Sequence, residues 1–148
     1  MRKKIFFSAG YFLLLIYIVF WAPWRTGVKL TAAERLRLHP IVDSVKDLVN
    51  NHGGTWWKHA FYFSLNFFGN VFLFIPFSFV MMWVFGMKSM IKIALLGCLL
   101  SLAIEITQYY TETGVADVDD ILLNTIGAIA GVYLCRFFQN QTKYFIRR

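Results

Sequence analysis

The sequence predicts an all-α integral membrane protein, a four-helix bundle with an extracytoplasmic connector that contains short amphipathic helices. Three observations predict it. The 148 residues are 58% hydrophobic and 19% aromatic, with a mean hydropathy of +0.55, too apolar for the surface of a soluble domain. Four apolar runs are each long enough, at ~1.5 Å per residue, to cross or nearly cross a hydrocarbon core of ~30 Å. The basic residues flank those runs instead of lining one solvated face, so the net charge of +7 speaks for orientation in a membrane and against nucleic acid. No internal repeat or low-complexity tract divides the chain, which reads as a single membrane domain over residues 1–148.

The first span, residues 5–22 (IFFSAGYFLLLIYIVFWA), follows Arg2, Lys3 and Lys4. A cleavable signal ends in small residues, whereas this run closes on Phe20, Trp21, Pro23 and Trp24. It is therefore a retained helix with an interfacial aromatic anchor. Residues 23–60 form a polar connector. Within it Thr31 and Glu34 fit a T-x-x-E capping box for one short helix. Pro40 fits the start of a second, whose Ile41, Val42, Val45, Leu48 and Val49 share a face that lies on the membrane or roofs the bundle. Asn51, His52, Gly53 and Gly54 end it.

The remaining spans cover about residues 61–85, 89–110 and 121–138. With the N-terminus inside, nine basic residues lie on the inner side (Arg2, Lys3, Lys4, Lys88, Lys92, Arg136, Lys143, Arg147, Arg148). Six lie in the connector (Arg25, Lys29, Arg35, Arg37, Lys46, Lys58) and none in the loop 111–118. Both termini are therefore expected in the cytoplasm. Pro76 lacks an N–H and frees the carbonyl of Phe72, which predicts a kink in the second span. Gly127 and Gly131 form a G-x-x-x-G on the fourth span, and Gly97 with Ser101 offers small residues on the third, so backbones can approach closely there. Cys98 and Cys135 have no metal-ligand spacing and read as packing residues, as do Met81, Met82, Met87 and Met90.

Depth sorts the polar residues. The second span runs inward, so Asn66 and Asn70 lie in its outer half, one turn apart on one face. The third runs outward and carries Glu105 and Gln108 one to two turns before its outer end. The fourth begins with Asp117, Asp119 and Asp120 at its mouth and Asn124 one turn deeper. Asp117 and Asp119 suit capping of the exposed N–H groups at a helix start, and the amides suit hydrogen bonding between helices. Glu105, about 7 Å below the helix end, lies too deep to cap. A carboxylate there needs a cavity, a partner or a proton, because at the bilayer centre it costs ~3 kcal/mol. The nearest basic groups in sequence are Lys58 and His59. Asn66, Asn70, Glu105, Gln108, Asp117, Asp120 and Asn124 thus form a candidate polar pocket at the outer interface. Its oxygens suit a divalent cation, with Glu105 and Asp120 as candidate ligands, or a substrate's ammonium or hydroxyl group. One protonated carboxyl beside an ionised one would also suit acid–base chemistry.

The succession NFFGNVFLFIPF, LLSLAIEITQYY and DVDDILLNTIGAIAG resembles the VanZ-like family of small bacterial membrane proteins. The resemblance spans about residues 61–133 and rests on Asn70, Phe74, Pro76, Glu105, Gln108, Asp117, Asp120, Asn124 and Gly127. It implies a multi-pass helical protein of the bacterial cytoplasmic membrane with a cell-envelope role. The founding type is associated with reduced susceptibility to the glycopeptide teicoplanin. Glu105, Gln108, Asp120 and Asn124 carry over as motif positions without an assigned chemistry. Many relatives place an arginine in the loop before D-x-D-D, whereas TGVADVDD has none, which argues against anion binding by that loop.

Three functions compete. The polar pocket engages membrane lipids by their head groups, a lipid-linked cell-wall precursor or a lipoglycopeptide. Alternatively the protein is a metal-assisted hydrolase or transferase on a lipid-linked substrate; the spans hold no Ser, Cys or His constellation, so water or the substrate would have to supply the nucleophile. In the third reading the polar set serves only helix packing.

Overall fold

The computed structural model describes residues 2–21, 31–32, 35–41 and 56–146. Helix α1 covers Arg2–Ile16 and continues as a π-helical turn, Tyr17–Trp21. A two-residue strand β1 (Leu36–Arg37) follows, then α2 (Trp56–Trp83), α3 (Met90–Thr111), strand β2 (Ala116–Asp117) and α4 (Val118–Ile146). Among the described residues four helices are long and apolar enough to cross a membrane, with candidate spans Lys3–Trp21, Trp56–Trp83, Met90–Thr111 and Val118–Gln141. The second begins five residues before the expected start and the fourth three. Trp56–Ala60 and Val118–Asp120 are polar enough to sit at an interface, and their backbone bonds continue the helices outward.

α4 is the central helix, packed against both α2 and α3, which scarcely touch one another, while α1 lies against α2. Two close-packed seams hold it. Along α2 the glycines of α4 meet backbone: a Cβ at Gly131 would stand 2.5 Å from the Ile75 carbonyl oxygen, and one at Gly127 would collide with that of Val71. The Ser78 hydroxyl donates to the Ala128 carbonyl across the same seam. Along α3, Gly97 faces the Ala128 methyl and Ser101 faces Asn124. This is small-residue packing, in which dispersion and interhelical hydrogen bonds replace the hydrophobic drive that lipid does not provide. Phe74, Val80, Ile93, Val132 and Cys135 fill the core between the seams, and Phe72, Leu95, Leu99 and Tyr133 stay exposed for lipid.

The helix around Pro76 is continuous. In its preceding turn the Leu73 carbonyl accepts from the Tyr11 hydroxyl at 3.1 Å, so α1 is hydrogen-bonded to α2 beside the proline. Lys4 Nζ donates to the Trp83 carbonyl and Arg136 to the Lys88 carbonyl. The N-terminus, the α2–α3 turn and the later part of α4 therefore share one end of the bundle. The opposite end holds β1, β2 and the acidic residues.

The connector departs from expectation where it is described. Arg35 N–H donates to the Thr31 carbonyl, giving a single turn, after which the chain runs extended and Leu36 and Arg37 pair in parallel with Ala116 and Asp117. Arg35-Leu36-Arg37-Leu38 alternates with a period of two, and its Leu36–Arg37 finds a strand partner. Ile41 sits in the left-handed region at φ 65° and is not itself helical. Glu34, the expected helix over Val42–Val49, the Asn51–Gly54 stop and the Pro23–Trp24 anchor lie outside the described residues, as does the side chain of His59.

Candidate functional site

Each acidic side chain at the polar end has a definable task. Asp117, the residue before α4, accepts from the Asp119 N–H through Oδ1 at 2.8 Å, the geometry of an N-cap serving the second helical residue. Its own N–H donates to Glu105 Oε2 at 2.9 Å, so the carboxylate of α3 is held against the first turn of α4. Glu105 is only 4% exposed and faces the protein, not lipid. Asp119, in the first turn of α4, accepts the N–H of Ile41 at 2.8 Å through its Oδ1 and ties the connector down. Asp120 accepts from Asn70 Nδ2, which also donates to Asn66 Oδ1.

One turn deeper Asn124 Nδ2 donates to Ser101 Oγ at 2.8 Å. Gln108 turns away from the acidic groups and donates to the Val19 carbonyl in the π-helical turn of α1 at 3.0 Å. The carbonyl oxygens of Asn124 and Gln108 are buried and no protein donor reaches them. The contacts Gly97–Ala128 and Ser101–Asn124 fix an antiparallel register in which Glu105 lies level with Asp120 and Ile121.

Three of the seven residues line clefts, and these are two different ones. Asn66 is exposed and lines a cleft of about 290 Å³ between α2 and α4 with Phe63, Phe67, Asp119 and Leu122. Glu105 and Asp117 line a cleft of about 250 Å³ between α3 and α4, walled by Leu36 and Leu38 of the connector, by Ile106 and by Tyr109. Asn70 joins Asn66 to Asp120, while Asn124 bonds Ser101 and Gln108 bonds the Val19 carbonyl. Among the described residues no three His, Cys, Asp or Glu side chains group as metal ligands.

Two arginines were not part of the expected layer. Arg37 Nη1 lies 3.8 Å from Asp117 Oδ2, and Arg35 Nη1 lies 2.9 Å from Glu112 Oε1. Among the described residues the connector thus brings basic groups to the acidic loop. Strand pairing delivers them, since Ala116 N–H donates to the Arg35 carbonyl. The period-two alternation at 35–38 is the one signal in the sequence that marks them. Arg35 also stands over the Tyr109 ring at 5.9 Å, a distance at which cation and π-face attract.

Fold and site together define a multi-pass α-helical membrane protein with a buried acidic layer at one end of its bundle. The family model for VanZ/LLP1 matches residues 7–139, nearly the whole chain. The chain belongs to the VanZ/LLP1 family. No curated protein and no solved structure matches it.

Proposed function

We propose that this chain works at the outer face of the bacterial cytoplasmic membrane, with both termini inside. There its polar end engages a lipid head group, a cell-wall precursor or a lipoglycopeptide, lowering susceptibility to glycopeptides such as teicoplanin. The observation that carries the reading is Glu105, a buried carboxylate fastened to the first turn of α4 on the wall of a cleft. A glutamine would accept the same hydrogen bond without the ~2.5–3.5 kcal/mol that an acid can cost inside a membrane. A buried acid on a cleft wall fits a ligand's ammonium or hydroxyl donor. Family membership supports the envelope role, and the nine-to-six split of basic residues supports the orientation.

The test is thermal melting of the full-length protein in neutral detergent, titrated with bacterial lipid extract, a lipid-linked cell-wall precursor or teicoplanin. At least one should raise the wild-type Tm, and Glu105→Gln should lose that rise while melting normally without ligand. A deletion strain should become more susceptible to teicoplanin. A melt unmoved by all three ligands, together with unchanged susceptibility, refutes the proposal.

A further inference from the structure

The end of the bundle opposite the acidic layer is electrically one-sided. All eight acidic residues fall between positions 34 and 120, in the connector or around the acidic layer. At the other end Lys3, Lys4, Lys88, Lys92 and Arg136 stand exposed. The hydrogen bonds from Lys4 to Trp83 and from Arg136 to Lys88 gather the elements that carry them. α1 and α3 both begin there, so the positive ends of their dipoles add to the same field, and neither has an acidic residue in its first turn. Among the described residues no acidic side chain lies at this end, so its counter-charge is left to the surroundings.

One of these cations is built into a cleft. Between the start of α1 and the end of α2, a cleft of about 350 Å³ is lined by Lys4, Ile5, Trp83 and Val84. Lys4 Nζ donates one of its three N–H bonds to the Trp83 carbonyl at 3.1 Å. That bond holds the ammonium on the cleft wall with two donors to spare for an outside oxygen. Further into the span, the Phe7 ring packs on Trp83 at 6.2 Å, and Ile5, Phe7 and Trp83 are all exposed. An ammonium beside exposed rings is the arrangement of a membrane interface, where aromatic side chains sit at head-group level. The fitting occupant carries a negative charge and an acyl chain together. A free phosphate or an acidic peptide would answer the cation and leave the apolar wall bare.

We propose that this cleft seats an anionic phospholipid of the adjoining leaflet, with its phosphate on Lys4 and an acyl chain against Ile5, Phe7 and Trp83. The site lies at the opposite end of the bundle from the Glu105 cleft and does not depend on that reading. Basic flanks that only orient the helices would attract the same lipids diffusely. A seat on Lys4 is distinguishable from that, because Lys3, Lys88, Lys92 and Arg136 do not line the cleft.

The experiment titrates the full-length protein in neutral detergent with phosphatidylglycerol and phosphatidylcholine of identical acyl chains. Soluble glycerol phosphate and hexaglutamate serve as head-group and acidic-peptide probes, and bound lipid is read by native mass spectrometry and Tm. Phosphatidylglycerol should bind more tightly than phosphatidylcholine, and neither soluble probe should displace it at equal concentration. Lys4→Gln should weaken phosphatidylglycerol about fivefold, the factor for one basic residue at an anionic surface. Lys4→Arg should bind as the wild type does. Lys92→Gln removes the same charge from the same end but outside the cleft, and should change binding by less than about twofold, since a distant charge is screened.

Equal weakening in Lys4→Gln and Lys92→Gln overturns the proposal, because the attraction would then be diffuse. Equal affinity for the two lipids overturns it as well. So does displacement by glycerol phosphate, which would mean a site for free anions, or by hexaglutamate, which would mean an acidic protein partner.

Discussion

Gly131→Ala tests the seam that positions the acidic layer. A Cβ at this position would lie 2.5 Å from the Ile75 carbonyl oxygen, 2.9 Å from Ser78 Cβ and 3.1 Å from Ile75 Cα. Ordinary contact begins at 3.4 Å, and the first and third neighbours are backbone, which cannot rotate aside. α2 and α4 must therefore separate by about 1 Å, within the range where overpacking costs ~1–3 kcal/mol. Separation also stretches the Ser78–Ala128 hydrogen bond, whose loss adds ~0.6–1.7 kcal/mol for a bond between membrane helices. The expected destabilisation is ~2–4 kcal/mol, read as the unfolding midpoint in mixed micelles titrated with sodium dodecyl sulfate. Gly69→Ala is the control, since nothing lies within 4 Å of a Cβ there, and helix propensity alone should stabilise it by up to ~1 kcal/mol. If the two variants unfold at the same midpoint, the seam is not the close backbone contact described and the register built on it falls.

Three further predictions concern the layer. Asn66→Ala should change stability by less than ~0.5 kcal/mol, because its side chain is exposed. Asn70→Ala, one turn on, should cost ~1–3 kcal/mol because buried Asp120 loses a donor; equal effects in the same unfolding assay would contradict the arrangement. Glu105→Ala leaves the Asp117 N–H without its acceptor and should cost ~1–3 kcal/mol, whereas Glu105→Gln should stay within ~1 kcal/mol of wild type; a glutamine variant as unstable as alanine would show the charge itself to be structural. Asp117→Asn should keep the cap on Asp119, and Asp117→Ala should lose ~0.5–2 kcal/mol with faster amide exchange in the first turn of α4; indistinguishable exchange would rule out the capping role.

The candidate layer was legible in the sequence to a definite depth. That Glu105 and Asp120 stand level, with Asn124 one turn deeper, follows from counting residues from span ends, since rise per residue is constant and bilayer thickness bounds every span alike. That Gly127 and Gly131 face α2 backbone was legible as a motif, though not which helix would receive it. Gln108 shares a face of α3 with Glu105, yet its amide reaches the Val19 carbonyl of α1. Side-chain direction around a helix follows from sequence, whereas the identity of the neighbour at each azimuth does not. For the same reason Asn66 and Glu105 open on different clefts although they share a level.

By itself the sequence determined the spans, the clustering of acid at one end and the glycine seam, because hydropathy, helical rise and side-chain size are local properties that a membrane reads directly. Only the tertiary structure decided what meets the acids. A two-residue parallel pairing across some eighty positions brings Arg35 and Arg37 to the loop after α3, and Ile41, in a left-handed conformation that a β-branched residue rarely adopts, gives its N–H to Asp119. Such a pairing is too short to stamp more than one alternation on the chain. Its energy comes from partners distant in sequence, so the basic half of the site emerges only when the helices have placed the acidic half.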